Sequence, residues 1–478
     1  MDEVSKIEGK KVLGFFSLVM INVIAVDSLR SLPIGAEYGF SLVFFYLIAG
    51  IIFFIPSIFV TAELATGWPN TGGIYVWVRE AFGTKAGFFV IWFQWVYNVI
   101  WYPTIMAFVA ATIAYFFNPS LADDKVYMLS MMMVLFWGAT IINCFGMKAS
   151  SFLSTLGAIF GTLVPMIFII SLSLLWISSG KPLQTTLSWH AILPNMGNFQ
   201  NLAFLSAVIF GLIGMEMSAV HAGEVKNPHK AYPRALFVSG SIIFISLILA
   251  SISIAIVVPR AKISLVTGLL QAFTIFFDSY HLRWMVPVIA GLIIIGSISG
   301  VAAWIIGPSK GILVAAEDGR LPSFLAKKNN KNVPINILML QGLIYTILCI
   351  VFLLMPSINS SYWILSAMTA QLALIVYIIL FISAISLRYK QPDVRRRVQV
   401  PGGKIGMITI ASIGILGCIA AIIIGFLPPQ QINFGSVTKY ELILVLGILM
   451  FCLPPFLFLK RKPKEIIPIE DDMTVVSS

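Results

Sequence analysis

The chain has 478 residues, of which 59% are hydrophobic and 11% are charged, with a net charge of +11 and a mean hydropathy of +0.96. A soluble protein carries about 25% charged residues, so the composition excludes an ordinary soluble domain. The apolar residues form blocks of about 20, the length that crosses a bilayer as a helix. We predict an all-α integral membrane protein with a cytoplasmic N-terminus (1–11), one domain of twelve transmembrane helices (12–459) and a short cytoplasmic tail (460–478).

The distribution of cations supports this topology. If the N-terminus is cytoplasmic, 24 of the 31 Lys and Arg residues fall on the cytoplasmic side and six on the external side. Lys and Arg are enriched in cytoplasmic loops, so both termini are predicted to be cytoplasmic. The positive charge is spread over many short segments instead of forming one patch, and we therefore expect no nucleic-acid partner.

The first predicted span is interrupted. Between residues 21 and 40 it contains Asp27, Arg30, Pro33 and Gly35, all of which oppose a plain lipid-facing helix. On an intact helix Asp27 and Arg30 share a face and neutralise each other. If the backbone unwinds, Arg30 suits a substrate carboxylate and Asp27 suits an amine. The sequence leaves both interpretations open.

The third predicted span carries a polar and aromatic stripe. Four side chains recur there at helical spacing: Gln94, Tyr97, Asn98 and Trp101. Residues three or four apart share one face of a helix, so the stripe is a candidate lining for a cavity. Packing between helices explains the same pattern equally well.

The sixth predicted span combines Gly211 and Gly214 with a carboxylate, Glu216. Glycine loosens a helix, and an ionisable group in lipid costs several kcal/mol, roughly 2.5–3.5 for Asp on insertion scales. A span with both features is typical of the broken helices that surround a polar cavity in secondary transporters. Glu216 is our candidate for carrying a coupling proton or sensing substrate charge. The alternative is a structural role, with the carboxylate tied to the helix break or to a neighbouring hydroxyl.

The two interrupted spans lie five apart in order. This spacing predicts an inverted repeat of five spans plus five (about 12–178 and 202–387), with two extra helices in 406–459. Each break exposes N–H groups at the start of one half-helix and C=O groups at the end of the other. The N–H end attracts a carboxylate and the C=O end an ammonium, so two facing breaks suit the common part of an amino acid.

Several segments resemble the amino acid–polyamine–organocation (APC) superfamily. The sixth-span motif GLIGMEMSAVHAGEVKNPHKAYPRA (211–235) carries its Gly-x-Glu followed by Lys-Asn-Pro, and the eighth span runs from Trp304 into AAEDGRLP (315–322). The segment 39–83, with PGGK and FLPP further on, also matches. Together these motifs are similar to the bacterial glutamate:GABA antiporter branch, and the resemblance covers nearly the whole chain.

The resemblance implies a LeuT-like fold with discontinuous first and sixth helices, working by alternating access in the bacterial inner (plasma) membrane. It places Phe210 and Trp304 where related exchangers carry aromatic gates, and Glu216 at the family's sixth-span glutamate. The positions that it implies for a backbone cradle around the substrate are Val26, Asp27, Ser28, Gly211 and Leu212. Asp27 departs from the Gly-rich break of the wider superfamily, and it would repel a substrate carboxylate unless Arg30 offsets its charge.

The sequence therefore predicts an amino acid transporter and not an enzyme, and more narrowly an antiporter exchanging an amino acid for a related amino acid or amine. One alternative is a proton-coupled amino acid symporter, and another is a membrane sensor that binds amino acids without transporting them. The expected partners are small amino acids or amines, protons and the bilayer, and a homodimer is a further hypothesis. No glycine-rich phosphate loop and no cluster with metal-ligand spacing occurs, so we expect neither a cofactor nor a metal.

Overall fold

The computed structural model describes most of the chain as a bundle of helices around an extensive apolar core. The helical character follows from long apolar stretches in which a helix satisfies every backbone N–H and C=O group internally. The described residues are 14–69, 72–144, 156–194, 202–219, 225, 228–331, 333–429 and 432–458.

Helices follow one another along the described chain. In chain order they are α1 (Phe15–Val26), α2 (Leu32–Ala36), α3 (Leu42–Ala49), α4 (Ile55–Gly67), α5 (Ile74–Phe82), α6 (Thr84–Phe117), α7 (Lys125–Cys144), α8 (Val164–Ser178), α9 (Trp189–Ile192), α10 (Ala203–Phe210), α11 (Pro228–Val257), α12 (Gly268–Ser279), α13 (Met285–Glu317), α14 (Ile335–Cys349), α15 (Val351–Leu354), α16 (Ile358–Lys390), α17 (Gly403–Gly425), α18 (Val437–Cys452) and α19 (Pro454–Phe458). A 3-10 turn (Leu29–Ser31) leads into α2, and π-helical turns (Gly50–Phe54 and Ile159–Leu163) precede α4 and α8.

Ten stretches of the described chain are long and apolar enough to cross a membrane, which confirms a multi-pass, all-helical membrane protein. The eighth predicted span coincides with α13, a continuous helix of 33 residues. In the sixth, the regular helix α10 has only eight residues. Eight residues rise about 12 Å, less than half of the roughly 30 Å hydrocarbon core, so this span depends on its neighbours to shield its non-helical part.

The centre of the bundle is the 34-residue helix α6, which packs along α13 and α16. The side chains of α6 are buried around most of its circumference, including the predicted stripe. Helix α18, in contrast, buries only Tyr440 and Leu444 and lies at the periphery. The predicted cavity-lining stripe therefore belongs to the most buried of the ten candidate membrane spans in the described chain.

Two connecting helices of more than one turn were not expected from the sequence. Helices α5 and α12 are 9 and 12 residues long; α5 is buried from Ile74 to Val78 and at Ala81, whereas α12 buries one apolar face. The face of α12 that packs inward includes Leu269, Phe273, Phe276 and Phe277. A search for apolar runs of bilayer length misses such helices, because both are shorter than the roughly 20 residues that cross a bilayer.

A buried ion cluster joins α4, α16 and the connection that follows α16. The Glu63 carboxylate accepts a hydrogen bond from Arg388 Nη1 at 2.7 Å and one from the Val400 N–H at 2.7 Å, and Arg396 Nε lies 3.4 Å away. The guanidinium of Arg396 also lies over the Trp68 ring, 5.0 Å from its centroid. The cluster fixes the end of α4 against the end of α16.

Removing the carboxylate should destabilise the protein strongly. We expect Glu63→Ala to lower the free energy of unfolding by about 3–5 kcal/mol, because two buried guanidinium groups lose their counter-charge. The matched control is Glu80→Ala, whose pair with Arg79 (3.4 Å) is about one-third exposed and contributes less than about 1 kcal/mol. Thermal unfolding of both variants in detergent is the measurement, and equal shifts would contradict a structural role for the cluster.

Candidate functional site

The first helix break lies between α1 and the 3-10 turn. Helical hydrogen bonding stops after the Asp27 N–H, which donates to the Val23 carbonyl at 2.8 Å, and Asp27 itself has ψ 73°. The Ser28 N–H instead donates to the Val26 carbonyl. The chain therefore leaves the helix at the point where the sequence predicts an interruption, and Ser28 starts a new turn.

The second break follows α10. The chain is non-helical from Gly211 to Glu216, and Gly214 has φ +124°, a conformation that residues with a Cβ rarely adopt. A Cβ on Gly214 would lie 3.1 Å from Val26 Cγ2 and 3.3 Å from Trp304 Cζ2. One on Gly211 would lie 3.5 Å from Ser31 Cβ. These close approaches place the two breaks directly against each other.

A cavity of about 40 Å³ lies between the breaks. Nine predicted site residues line it: Val26, Ser28, Arg30, Tyr97, Asn98, Trp101, Phe210, Gly211 and Trp304. Ala25, Ser31 and Ile213 complete the lining. Typical small-molecule pockets measure about 300 Å³ or more, so an amino acid requires the walls to move apart before it fits here.

Aromatic rings form one wall of the cavity. The Trp304 ring centroid lies 6.0 Å from that of Trp101 and 6.5 Å from that of Tyr97. Its indole N–H donates to the Ala25 carbonyl at 3.3 Å, so Trp304 is tied to the last turn of α1. The third-span stripe and the eighth span thus meet at the cavity, with the indole closing one side.

Arg30 is the cation of the cavity. Its Nη1 donates to the Tyr362 hydroxyl at 3.0 Å, and that hydroxyl donates back to the Arg30 carbonyl at 3.1 Å. The guanidinium carbon lies 5.5–5.7 Å from the ring centroids of Trp101, Phe210 and Tyr362. The side chain is 4% exposed, and its Nε has no hydrogen-bond partner in the described part of the chain.

Asp27 points away from Arg30. Its Oδ2 accepts a hydrogen bond from Ser246 on α11 at 2.8 Å, while Oδ1 has no hydrogen-bond partner among the described residues. It lines a second small cavity of about 30 Å³ together with Thr162 and Ser297. Of the two interpretations open from the sequence, the structure contains the separated one, since Asp27 and Arg30 have different partners.

Glu216 lies outside the cavity lining, next to the second break. Its Oε2 accepts a hydrogen bond from the Tyr377 hydroxyl, and the same hydroxyl accepts the Gly214 N–H at 3.0 Å. The carboxylate is 1% exposed. The Tyr377 hydroxyl therefore links the Glu216 carboxylate to the backbone of the second break.

The other two predicted residues are also outside the lining. Leu212 is fully buried in the apolar core. Gln94 is buried one turn from Asn98, whose amide donates to the Gln94 carbonyl at 2.8 Å. The side-chain amide of Gln94 faces the Met217 sulfur at 3.9 Å. The polar stripe is therefore divided between cavity and helix packing.

Sequence reasoning missed three polar side chains that hold the site together: Ser246, Tyr362 and Tyr377. None of them has a charge or a neighbouring glycine to mark it. The available signal was a pair of tyrosine hydroxyls within the apolar tenth span, Tyr362 at its start and Tyr377 near its middle, because a buried hydroxyl requires a hydrogen-bond partner.

A multi-pass helical protein with a polar cavity between two helix breaks has the architecture of a membrane transporter. The family model described as "Amino acid permease" matches residues 13–452, and the chain belongs to this family. Its members are permeases, which confirms both the predicted family and the prediction of a transporter in place of an enzyme.

The chain is similar along its length to several curated proteins. An uncharacterized transporter of Legionella pneumophila is 54% identical over 459 residues, covering 96% of this chain and 98% of that protein. A glutamate/gamma-aminobutyrate antiporter of Lactococcus lactis is 33% identical over 459 residues, covering 95% and 90%. A protein of the same organism named "Probable agmatine/putrescine antiporter" is 23% identical over 457 residues, covering 95% and 96%.

The second break should not tolerate a side chain at Gly214. We expect Gly214→Ala to reduce transport at least ten-fold, because the strained conformation costs about 1–3 kcal/mol and the Cβ presses on Val26 and Trp304. Gly138→Ala is the matched control, since a Cβ there meets nothing within 4 Å. Uptake by reconstituted protein, normalised to folded protein, is the measurement; transport by both variants at the wild-type rate would contradict this account of the break.

Proposed function

We propose that this protein is an amino acid antiporter of the bacterial plasma membrane that exchanges an amino acid for a related amino acid or amine by alternating access. The observation that carries the proposal is the cavity between the two breaks, with the unneutralised Arg30 on one side and the aromatic wall on the other. Both Lactococcus proteins are named antiporters, which supports exchange as the mode of transport. The name of the relative that is 33% identical supports a glutamate/GABA-like pair as substrates.

We also propose the finer architecture. Twelve spans, related as five plus five with two added, account for the interruptions of the first and sixth predicted spans and for their direct contact. The excess of Lys and Arg on one side supports cytoplasmic termini. The repeats run from about 12 to 178 and from about 202 to 387.

Substrate recognition follows from the ends of the half-helices. The first N–H groups of the turn that starts at Leu29 have no intrahelical acceptor, so they suit the substrate α-carboxylate. The C=O groups at the ends of α1 and α10 suit the α-ammonium. Val26, Asp27, Ser28 and Gly211 contribute their backbones to this cradle, and Leu212 supports it from the core. Phe210 and Trp304 act as the gates that must move for entry.

Arg30 is proposed to bind a second carboxylate, on the substrate side chain. A buried guanidinium is stable when its charge is compensated, and here its described partners are a neutral hydroxyl and three aromatic faces. Asp27 is held by Ser246 and does not neutralise it. An acidic amino acid would supply the missing negative charge.

Exchange is tested by reconstituting the protein in liposomes and measuring uptake of labelled amino acids and amines, with and without unlabelled substrate inside. We expect uptake to require internal substrate, and Arg30→Gln to raise the KM for acidic amino acids ten-fold or more, since a hydrogen bond to a charged group contributes about 1.5–3 kcal/mol. The control is Arg283→Gln, which changes an exposed arginine.

Other outcomes would change the proposed function or the role of Arg30. Uptake into empty liposomes under a proton gradient would make the protein a symporter. Saturable binding without flux would make it a sensor. An unchanged preference for acidic substrates in Arg30→Gln would remove Arg30 from recognition while leaving antiport in place.

Glu216 is proposed to couple its protonation to opening of the gates, since it shares the Tyr377 hydroxyl with the backbone of the second break. We expect Glu216→Gln, which is permanently neutral, to make transport independent of pH between pH 5 and 8. Tyr377→Phe should disturb the same pH profile, because it removes the link between carboxylate and backbone. Wild-type rates and pH dependence in Glu216→Gln would exclude this role.

A further inference from the structure

A third cavity lies on the outer surface of the bundle, and none of its lining residues lines either of the two cavities described above. It measures about 200 Å³ and lies between α11 and the segment formed by α4 and the π-helical turn before it. Two pairs of aromatic rings lie in its lining. Phe59 packs against Phe237 with ring centroids 5.2 Å apart, and Phe54 stacks on Phe244 with ring centroids 6.0 Å apart. We call this cavity the α4–α11 groove.

Two glycines that line the groove, Gly50 and Gly240, let the helices on either side approach each other closely. A Cβ on Gly240 would lie 2.6 Å from Ile58 Cδ1, and one on Gly50 would lie 2.9 Å from Phe244 Cζ. The residues around the opening are apolar and exposed, with Ile55 at 44% and Phe237 at 39%. In a bilayer such an opening faces the lipid chains, and the one polar side chain in its lining, Ser241, is bonded to a carbonyl of its own helix.

One face of α11 continues from the groove to a pair of cations. Lys230, Arg234, Phe237, Ser241 and Phe244 follow one another at intervals of four and three residues, which places them in one stripe along the helix. The candidate span of this helix begins at Lys230, so the two cations lie at the membrane boundary. Both are exposed. From Arg234 to Phe237 the helix rises only about 4.5 Å.

We propose that the α4–α11 groove binds one acyl chain of an anionic phospholipid, whose head group lies on Lys230 and Arg234. Lipid tails are as apolar as the groove, so contact with a tail alone does not distinguish one lipid from another. Selection comes from the cations, which attract an anionic head group at the membrane surface. The flexible stem of Arg234 reaches along the apolar surface while its guanidinium stays at the head-group level.

The test is lipid retention by the full-length protein in mild detergent, measured by native mass spectrometry. The probe is an equimolar mixture of phosphatidylglycerol and phosphatidylcholine with identical acyl chains. We expect wild-type protein to retain phosphatidylglycerol on the order of ten-fold over phosphatidylcholine. Lys230→Gln with Arg234→Gln should bring this ratio near one. Arg395→Gln with Arg397→Gln, which removes two exposed cations elsewhere, should leave it unchanged.

A second variant tests the groove itself. The Ser241 hydroxyl donates only within its own helix, to the Phe237 carbonyl at 3.0 Å, so Ser241→Leu fills the groove without removing a contact between helices. We expect this variant to retain less of both lipids and to keep the wild-type oligomeric state.

Three results would overturn the proposal. The first is equal retention of the two lipids by wild-type protein, and the second is an undiminished preference in Lys230→Gln with Arg234→Gln. The third is a change of oligomeric state in Ser241→Leu, measured by light scattering, which would assign the groove to a second copy of the chain. The experiment measures lipid retention and not transport, so a negative result would reject the lipid site without affecting the proposed antiport.

Discussion

Backbone hydrogen bonding in a medium without water is the constraint on which this structure depends. A membrane helix can be interrupted only where other groups satisfy the freed N–H and C=O groups or where they face a polar cavity. Here the first and second breaks are packed on each other, with the Gly214 N–H bonded to Tyr377 and the Ala25 carbonyl bonded to Trp304. The cavity, its aromatic wall and its single arginine all follow from keeping these two breaks together.

One helix contacts each of three buried ionisable groups. Along α16, Tyr362 binds Arg30, Tyr377 binds Glu216, and Arg388 binds Glu63. At 1.5 Å per residue these partners span about 39 Å, close to the full membrane thickness. A displacement of α16 against the two breaks would therefore change the cavity, the contact between Tyr377 and Glu216, and the buried ion cluster around Glu63 at the same time. This helix would give the proposed alternating access a physical connection between the two ends of the bundle.

At the first break, helix packing determines whether Asp27 and Arg30 pair with each other or with other residues. Asp27 and Arg30, three residues apart, would pair on a regular helix. Because the helix ends between them, one side chain turns to Ser246 on α11 and the other to Tyr362 on α16. Among the described residues, the cavity consequently contains a cation without a carboxylate in its lining, and this asymmetry is the basis for proposing an acidic substrate.

The sequence by itself determined the membrane character, the helical class, the two interruptions and most of the cavity lining, because glycine, proline and charge in an apolar span have few structural explanations. It also marked Glu216 as unusual. Only the tertiary structure decided that Asp27 and Arg30 separate, that Leu212 and Gln94 lie outside the lining, and that Tyr362 and Tyr377 complete the site. The physical reason is that the sequence around a hydroxyl in an apolar helix does not identify its hydrogen-bond partner. The partners of Tyr362 and Tyr377 lie more than 160 residues away in the chain, and only helix packing brings them near.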